Sequence, residues 1–154
     1  MKSLFIILVL FSYVTFTLTK PRMKRSPYEL AMDADKLLAG PIKETFSCEG
    51  LRFGYYADVD NECKIFHICY PRQLADGSAI MEHYSFICGN QTVFNQFSQT
   101  CSHPDEAVPC EQSRDFYYLN ERYGVEDENF HRDEDVNAYN SIVSEYGTRK
   151  RGSK

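Results

Sequence analysis

Residues 48–110 of this chain read CEGLRFGYYADVDNECKIFHICYPRQLADGSAIMEHYSFICGNQTVFNQFSQTCSHPDEAVPC and contain all six of its cysteines. Successive cysteines are separated by 14, 5, 18, 12 and 8 residues. An even number of cysteines in so short a stretch of an exported chain is typical of a disulfide framework around a small apolar core. The stretch therefore predicts a small disulfide-rich β domain with three bridges. The cysteine count alone leaves the pairing open.

The N-terminus has the pattern of a secretory signal peptide. Met1-Lys2 is a short basic start, and residues 4–18 form an almost unbroken apolar run. Thr15, Thr17 and Thr19 are small residues that offer positions for signal peptidase. The run is too short to favour a membrane anchor. We therefore predict a signal peptide at residues 1–19 and a secreted, extracellular protein without a membrane partner.

Residues 20–45 are predicted to be a linker with a short helix. Residues 22–26, Arg-Met-Lys-Arg-Ser, resemble the recognition site of furin-type convertases, and an exposed basic linker explains them equally well. Ser26-Pro27-Tyr28-Glu29 has the arrangement of a capping box with proline at the first helical position. Gly40-Pro41 would end the run. This pattern predicts a helix of about three turns.

The charge of the domain excludes two classes of partner. Residues 46–110 carry eight acidic and three basic side chains. An acidic domain does not release counterions from nucleic acid, and it is not attracted to anionic lipid. We expect no nucleic acid and no membrane as partners. A neutral ligand, such as an uncharged polysaccharide, suits this surface.

Two short runs predict a hairpin. Residues 84–88 and 92–96 are rich in aromatic and β-branched residues, and Gly89-Asn90-Gln91 lies between them. A longer loop with an Asp76-Gly77 turn is expected between Cys69 and Cys88. Asn90 begins an Asn-Gln-Thr acceptor for N-glycosylation and is expected to be exposed in the hairpin turn.

Residues 111–154 read as an acidic, tyrosine-rich tail. Between residues 111 and 145 there are ten acidic and three basic side chains and few aliphatic ones. Such a segment buries little apolar surface, so we predict that it is mostly disordered. Its many aromatic residues leave a second interpretation open, in which the tail interacts with matrix proteins or becomes cross-linked.

The sequence indicates no enzyme, metal site or cofactor. Zinc sites use closely spaced Cys or Cys/His pairs, and no CxxC is present. Residues 58–69 resemble a calcium loop only at the start, because cysteine occupies the positions that require Gly and Glu. None of the four histidines has a recognisable nucleophile partner in the sequence. We therefore predict no catalytic residues.

Six motifs in and around the cysteine stretch carry a family resemblance. They are Phe46-Ser47-Cys48, Gly54-Tyr55-Tyr56-Ala57-Asp58, CKIFHIC at residues 63–69, Tyr84-Ser85-Phe86-Ile87-Cys88, Thr92-Val93-Phe94-Asn95-Gln96, and the segment from Cys101 to Cys110. Together they resemble the peritrophin-A, or type-2, chitin-binding domain. With Tyr118-Leu119-Asn120 after the last cysteine, the chain looks most like single-domain cuticular proteins analogous to peritrophins. The match covers residues 46–120.

The resemblance implies a fold, a disulfide pairing and an activity. The fold is two small antiparallel sheets, which the short helix and the disordered tail would flank. The implied pairs are Cys48 with Cys69, Cys63 with Cys110, and Cys88 with Cys101. The implied activity is non-covalent binding of chitin, without turnover.

Chitin needs flat rings that cover the C–H faces of its sugars and polar groups that meet its acetamides. Strand alternation places Phe86 and Phe94 with the disulfides in the core, and it turns Asn95 and Phe97 the other way. In so small a domain each ring is a candidate for the core as well as for the ligand. Our candidate carbohydrate-binding residues are Tyr55, Tyr56, Phe66, His67, Tyr84, Asn95 and Phe97.

The function that the sequence favours is that of a secreted, non-enzymatic chitin-binding protein of an arthropod cuticle or another chitinous extracellular matrix. Its partner would be chitin, and other matrix proteins are further candidates. The alternative is a disulfide-bonded module that binds proteins, inhibits a protease or serves as a matrix scaffold without binding sugar.

Overall fold

The computed structural model describes residues 26–31 and 34–152, without the side chains of residues 35 and 148–152. The predicted signal peptide at residues 1–19 lies outside the described residues. Residues 22–25 of the convertase-type motif lie outside them as well. No helix among the described residues is long and apolar enough to cross a membrane.

Two small antiparallel sheets form the domain, as predicted. Strands β1 (Gly54–Ala57), β2 (Ile65–Gln73) and β3 (Ala79–Ile87) form a three-stranded sheet in that order. Strands β4 (Val93–Asn95) and β5 (Thr100–Ser102) form the second sheet. A short 3-10 turn, Val59–Asn61, lies between β1 and β2. The small size of both sheets explains why the domain relies on covalent bridges.

The strand pairing differs from the predicted hairpin. β3 pairs with β2, and the loop expected between Cys69 and Cys88 is mostly this hairpin. Its turn is the predicted Asp-Gly pair, in which Gly77 has a φ of 83° and the Asp76 carboxylate accepts from the Ser78 N–H at 2.9 Å. The predicted pairing of residues 84–88 with 92–96 is wrong, because β4 pairs with β5. The chain leaves the first sheet after β3, and the Phe94 N–H donates to the Cys63 carbonyl at 2.7 Å.

Three disulfides connect these elements in the pairs that the family resemblance implies. Cys48–Cys69 ties the segment before β1 to β2, and Cys88–Cys101 links the two sheets. Cys63–Cys110 joins the turn after β1 to the chain that follows β5 and closes the longest loop, with a sequence separation of 47. Each bridge of this kind typically contributes about 2 to 4 kcal/mol to the free energy of unfolding.

The N-terminal segment is not the predicted three-turn helix. Residues 26–31 form a turn, in which the Glu29 N–H donates to the Ser26 carbonyl. Among the described residues of this segment, Ala34–Leu37 alone forms a helix, and it is a 3-10 helix. The reason is tertiary. Tyr28 is buried, and its hydroxyl donates to Asp58 at 3.2 Å and accepts from the Phe46 N–H at 2.9 Å. An isolated helix of this length is marginal, so these long-range bonds determine the backbone instead.

The acidic tail is ordered, contrary to the prediction. Residues Cys110–Arg122 form 3-10 turns, and a long helix, α1, extends over Asp133–Gly152. Phe97, Val108, Phe116 and Leu119 form a buried cluster, against which Phe130, Tyr139 and Ile142 pack. Aromatic side chains each bury a large apolar area, so a segment with few aliphatic residues still acquires a core.

An ion pair holds the start of α1 against the 3-10 turns. The Arg122 guanidinium contacts the Asp135 carboxylate, and both side chains are almost fully buried. The hydrogen bond from Arg122 holds the pKa of Asp135 far below its usual range. The Tyr118 hydroxyl also donates to Asp135. The tail is therefore attached to the domain by polar contacts as well as by aromatic packing.

Candidate functional site

The outer face of the three-stranded sheet is aromatic. Along β2, Ile65, His67 and Cys69 are buried, so the alternate side chains of the strand point to the opposite face. The register places Tyr55, Ile68 and Tyr84 in one row across the sheet and Phe66 beside Phe86 in the next. We call this surface the aromatic face. It consists of Tyr55, Phe66, Ile68, Tyr70, Tyr84 and Phe86.

Three phenylalanine rings stack across this sheet. The ring of Phe66 lies 4.4 Å from that of Phe94 at 14° and 5.3 Å from that of Phe86 at 20°. On β1, the strand partner of Phe66 is the small residue Ala57. Phe94 packs in the same buried cluster as Ala57. Phe94 is buried, whereas Phe86 remains 44% exposed. The stack therefore begins in the core and ends at the surface.

A second aromatic cluster lies beside Tyr70. The Phe53 ring makes edge contacts with Tyr70 at 5.8 Å and with Tyr123 at 5.1 Å, and Tyr123 lies 5.8 Å from Tyr55. Tyr70 is 45% exposed. Burial raises the pKa of Tyr123 to about 12. Its hydroxyl is therefore neutral at physiological pH and donates to the side-chain oxygen of Gln99.

The charges on the aromatic face are paired. The Arg72 guanidinium donates to Glu82 at 2.6 Å, and the Tyr84 hydroxyl donates to the same carboxylate at 2.7 Å. The hydrogen bond from Tyr84 is the main cause that lowers the pKa of Glu82. Nearby, Lys64 donates to the Thr92 carbonyl at 2.7 Å. The face can therefore contact a neutral ligand without leaving a charge unpaired.

Three of the seven predicted binding residues lie on the aromatic face, and four do not. Tyr55, Phe66 and Tyr84 are the three. Tyr56, His67, Asn95 and Phe97 are buried, so in this structure none presents a surface to a sugar. The expectation that Phe86 belongs to the core is wrong, since this ring is among the exposed ones.

The four buried residues have structural contacts that explain their burial. The Tyr56 hydroxyl donates to the Arg52 carbonyl at 3.0 Å. The Asn95 side chain accepts from the Phe97 and Val108 N–H groups. The Phe97 ring stacks on His131 at 4.1 Å and on Tyr139 at 4.3 Å, both from the tail. A disordered tail would leave Phe97 exposed, whereas the ordered tail covers this ring.

Sequence reasoning missed Tyr70, Phe53 and Tyr123. A signal for Tyr70 was present, because alternation from Cys69, which a disulfide draws inward, turns its neighbours Ile68 and Tyr70 outward. Phe53 and Tyr123 lie outside the strands and are far apart in sequence. Only the folded chain brings them together.

Behind the aromatic face lies a buried polar cluster. His67 Nε2 is 3.0 Å from the Asp58 carboxylate, and His67 Nδ1 is 2.8 Å from Ser85 Oγ and 2.9 Å from His83 Nε2. Burial alone would raise the pKa of Asp58, but hydrogen bonds from His67 and Asn61 outweigh it and lower that pKa. Burial, with the neighbouring His67, lowers the pKa of His83 to about 4. No nucleophile partner of His67 is recognisable in the sequence, and the fold places the Ser85 hydroxyl beside this ring.

The geometry of Ser85 does not activate it as a nucleophile. Its hydroxyl donates to the Pro27 carbonyl at 2.5 Å. Because a serine has a single hydroxyl proton, this proton is not available to His67 Nδ1. A catalytic base would instead have to accept the serine proton. Among the described residues, no group of three or more His, Cys, Asp or Glu side chains could hold a metal ion.

Comparisons with known proteins agree with the cysteine framework. A family model described as chitin binding Peritrophin-A domain matches residues 48–110. U-scoloptoxin(01)-Cw1a from Cormocephalus westwoodi is 35% identical over 75 residues, which are 49% of this chain and 56% of that protein. U-scoloptoxin(01)-Er1a from Ethmostigmus rubripes is 34% identical over 65 residues, 42% of this chain and 47% of that protein. The chain thus spans about half the length of the curated relatives it matches. No solved structure matches it.

Proposed function

Since residues 48–110 match the family model of the chitin binding Peritrophin-A domain, we propose that this protein is a secreted, non-catalytic chitin-binding protein and that its aromatic face is the binding surface. The matrix that we propose is an arthropod cuticle or another chitinous extracellular matrix. The observation that carries the proposal is the exposure of Tyr70, Tyr84 and Phe86 on one face of a disulfide-bonded sheet.

The chemistry of chitin suits this face. N-acetylglucosamine is uncharged, and its apolar C–H faces pack on aromatic rings while its hydroxyls and acetamide form hydrogen bonds. The tyrosine hydroxyls at the edge of the rings supply such polar partners. Because Arg72 and Glu82 already neutralise each other, a neutral sugar need not desolvate an unpaired charge. The strands hold the rings in place before the ligand arrives, which lowers the entropy cost of binding.

A non-catalytic and extracellular role is consistent with two other features. Ser85 directs its proton to the Pro27 carbonyl and is covered by the N-terminal segment, which does not suit a nucleophile. All six cysteines are paired, which suits an oxidising compartment. The predicted leader at residues 1–19 would direct the chain there.

A second candidate function is suggested by the names of the relatives, both of which are called scoloptoxins. In this alternative the protein is a secreted, disulfide-bonded module that binds a protein, and the aromatic face contacts that protein instead of a sugar. An exposed aromatic patch is compatible with either partner.

Retention on chitin beads at high salt separates the two candidates. We expect the native protein to be retained, because stacking and neutral hydrogen bonds are not screened by salt. The double variant Tyr84→Ala/Phe86→Ala should flow through. As a control, Val125→Ala/Val136→Ala truncates two exposed apolar residues of the tail and should be retained. Flow-through of the native protein, or full retention of the aromatic double variant, contradicts the proposal.

We also propose that Asn90 carries an N-linked glycan. The side chain is exposed in the turn after β3, and it begins an Asn-Gln-Thr acceptor. Treatment of the secreted protein with an N-glycosidase should reduce its mass and convert Asn90 to Asp. An unchanged mass contradicts this proposal.

A further inference from the structure

A groove of about 390 Å³ separates the N-terminal segment from the edge strand β3. We call residues 26–31 the strap. Its Ser26, Pro27, Glu29, Leu30 and Ala31 form one side of the groove. Residues 83–86 of β3 form the other side. The volume is near the lower end of the range for small-molecule sites, which suits a single sugar unit.

One aromatic ring of the groove has an uncovered face. In the stack of three phenylalanines, Phe66 covers only one face of the Phe86 ring. Because β3 is the edge strand, the opposite face points away from β2, on the side where the strap lies. Phe86 is a lining residue of the groove, as is Tyr84. The groove therefore continues the aromatic face around the edge of the sheet.

The strap is held rigidly at its centre. Tyr28 is buried with its ring 5.1 Å from that of His67, and its hydroxyl bonds to Asp58 and to the Phe46 N–H. Beside it, the Pro27 carbonyl accepts from Ser85. The anchor uses the buried polar cluster, whose residues lie outside the aromatic face. A function for this cluster follows: it fixes the strap at a set distance from Phe86.

The two sides of the groove offer complementary chemistry. Pro27, Leu30 and Ala31 make the strap side partly apolar, while His83 and Tyr84 supply polar groups opposite. An N-acetylhexosamine has the same combination, with an apolar ring face, an acetamide methyl group and several polar groups. An anionic ligand is less suited, since the basic residues of the domain are few.

We propose that this groove is a subsite for one N-acetylhexosamine unit, which stacks on the outer face of Phe86 and packs its acetamide methyl against Leu30 and Ala31. This inference rests on the proposed function and extends it, because the strap lies outside residues 48–110 that define the family domain. In this arrangement the strap completes the binding site.

The test uses the trimer of N-acetylglucosamine as a soluble probe of the full secreted protein. We expect the trimer to shift the amide resonances of Leu30 and Ala31 and to bind roughly three- to tenfold more weakly to Leu30→Ala, since the loss of a few methyl contacts corresponds to about that factor. Tyr28→Phe, which releases the strap from Asp58 and Phe46, should weaken binding as well. Leu38→Ala is the matched control, because Leu38 is another half-buried leucine of the same segment that lies away from the groove.

The outcomes distinguish the subsite from the proposed function. Normal trimer affinity in Leu30→Ala and Tyr28→Phe, or resonance shifts confined to Tyr70 and Tyr123, overturns the subsite while chitin retention by the aromatic face still stands. A protein that binds neither the trimer nor chitin beads overturns both. Equal weakening in Leu30→Ala and Leu38→Ala also overturns the subsite, because it indicates a general loss of structure.

Discussion

The side-chain amide of Asn120 pairs with both backbone groups of Tyr55. Its oxygen accepts from the Tyr55 N–H at 2.9 Å, and its nitrogen donates to the Tyr55 carbonyl at 2.9 Å. Gln96 donates to the same carbonyl and accepts from the Ala57 N–H at 2.8 Å, and the Tyr117 hydroxyl donates to the Ala57 carbonyl. The open edge of β1 is therefore covered by side chains instead of a fourth strand, so this edge is not free to pair with another chain.

Replacement of Asn120 should destabilise the domain strongly. Asn120→Ala leaves the N–H of Tyr55 without its partner in a partly buried place, at a cost of about 1 to 3 kcal/mol in the free energy of unfolding. Urea denaturation of the oxidised protein measures this. Asn137→Ala, on an exposed position of α1, is the control and should change little. A change of equal size in both variants would show that the edge contact is unimportant.

Gly54 should tolerate no side chain. A Cβ built there would lie 2.3 Å from the Asn120 Cγ, so alanine would displace this amide from the edge of β1. Gly54→Ala should lower the free energy of unfolding by about 1 to 3 kcal/mol, as overpacking does. Gly40→Ala is the matched control, since a Cβ there meets no atom within 4 Å. Thermal unfolding of both variants makes the comparison, and a stable Gly54→Ala would refute the close approach.

Removal of the tail should weaken the domain. A chain that ends at Tyr123 loses Phe130, Tyr139 and Ile142, and with them the cover of Phe97. We expect a lower unfolding temperature and increased binding of a hydrophobic dye, because an aromatic ring and its neighbours become exposed. A chain that ends at Gly147 is the control and should behave like the native protein. If the tail were disordered, as its composition predicts, the two truncated chains would be equally stable.

Substitutions of Phe94 and Phe86 should distinguish an effect on stability from an effect on chitin binding. They lie at opposite ends of one stack, but only Phe94 is buried. Phe94→Ala should cost about 3 to 5 kcal/mol of stability. Phe86→Ala should leave thermal unfolding nearly unchanged and weaken chitin binding roughly tenfold, which corresponds to one stacked ring after ordering costs. Measurement of both properties on both variants is the test, and loss of binding without loss of stability in Phe94→Ala would contradict it.

The free energy of unfolding should decrease as the pH falls, because His83 becomes protonated. Burial lowers the pKa of His83 from about 6.5 to about 4, so the unfolded chain binds its proton more tightly than the folded protein does. The stability that neutral His83 contributes is complete above about pH 6.5 and is lost progressively as the pH falls towards about 4. The carboxyl groups of Asp58 and Asp135 have lowered pKa values and lose their contributions at more acidic pH.

The check is the unfolding temperature across that pH range. We expect the native protein to lose stability between about pH 6.5 and about pH 4, and His83→Gln to show a shallower dependence because it removes the titrating group. His103→Gln is the control, since His103 is largely exposed. An equally steep dependence in His83→Gln would assign the effect to other groups.

Much of the fold could be predicted from the chain alone. Cysteine number, spacing and confinement predict a three-bridge β domain, and the Asp76-Gly77 turn was recognised from its residues. The helix of the tail was not predicted, although Asp135, Tyr139, Ile142 and Tyr146 follow the spacing of one helix face. The acidic composition predicts disorder, whereas this periodicity predicts the helix that forms.

The candidate site was less predictable, because exposure is not a local property. By itself, the sequence determined the disulfide-bonded β class, the acidic charge and the abundance of aromatic residues. All three follow from which residues are present and how they are spaced. Only the tertiary structure decided which rings are exposed. Asn120 reaches Tyr55 across 65 residues, and Ser85 reaches Pro27 across 58. Tyr139 covers Phe97 in the same long-range manner. Alternation in a strand gives each side chain one of two faces, but the segments that cover either face come from distant parts of the chain.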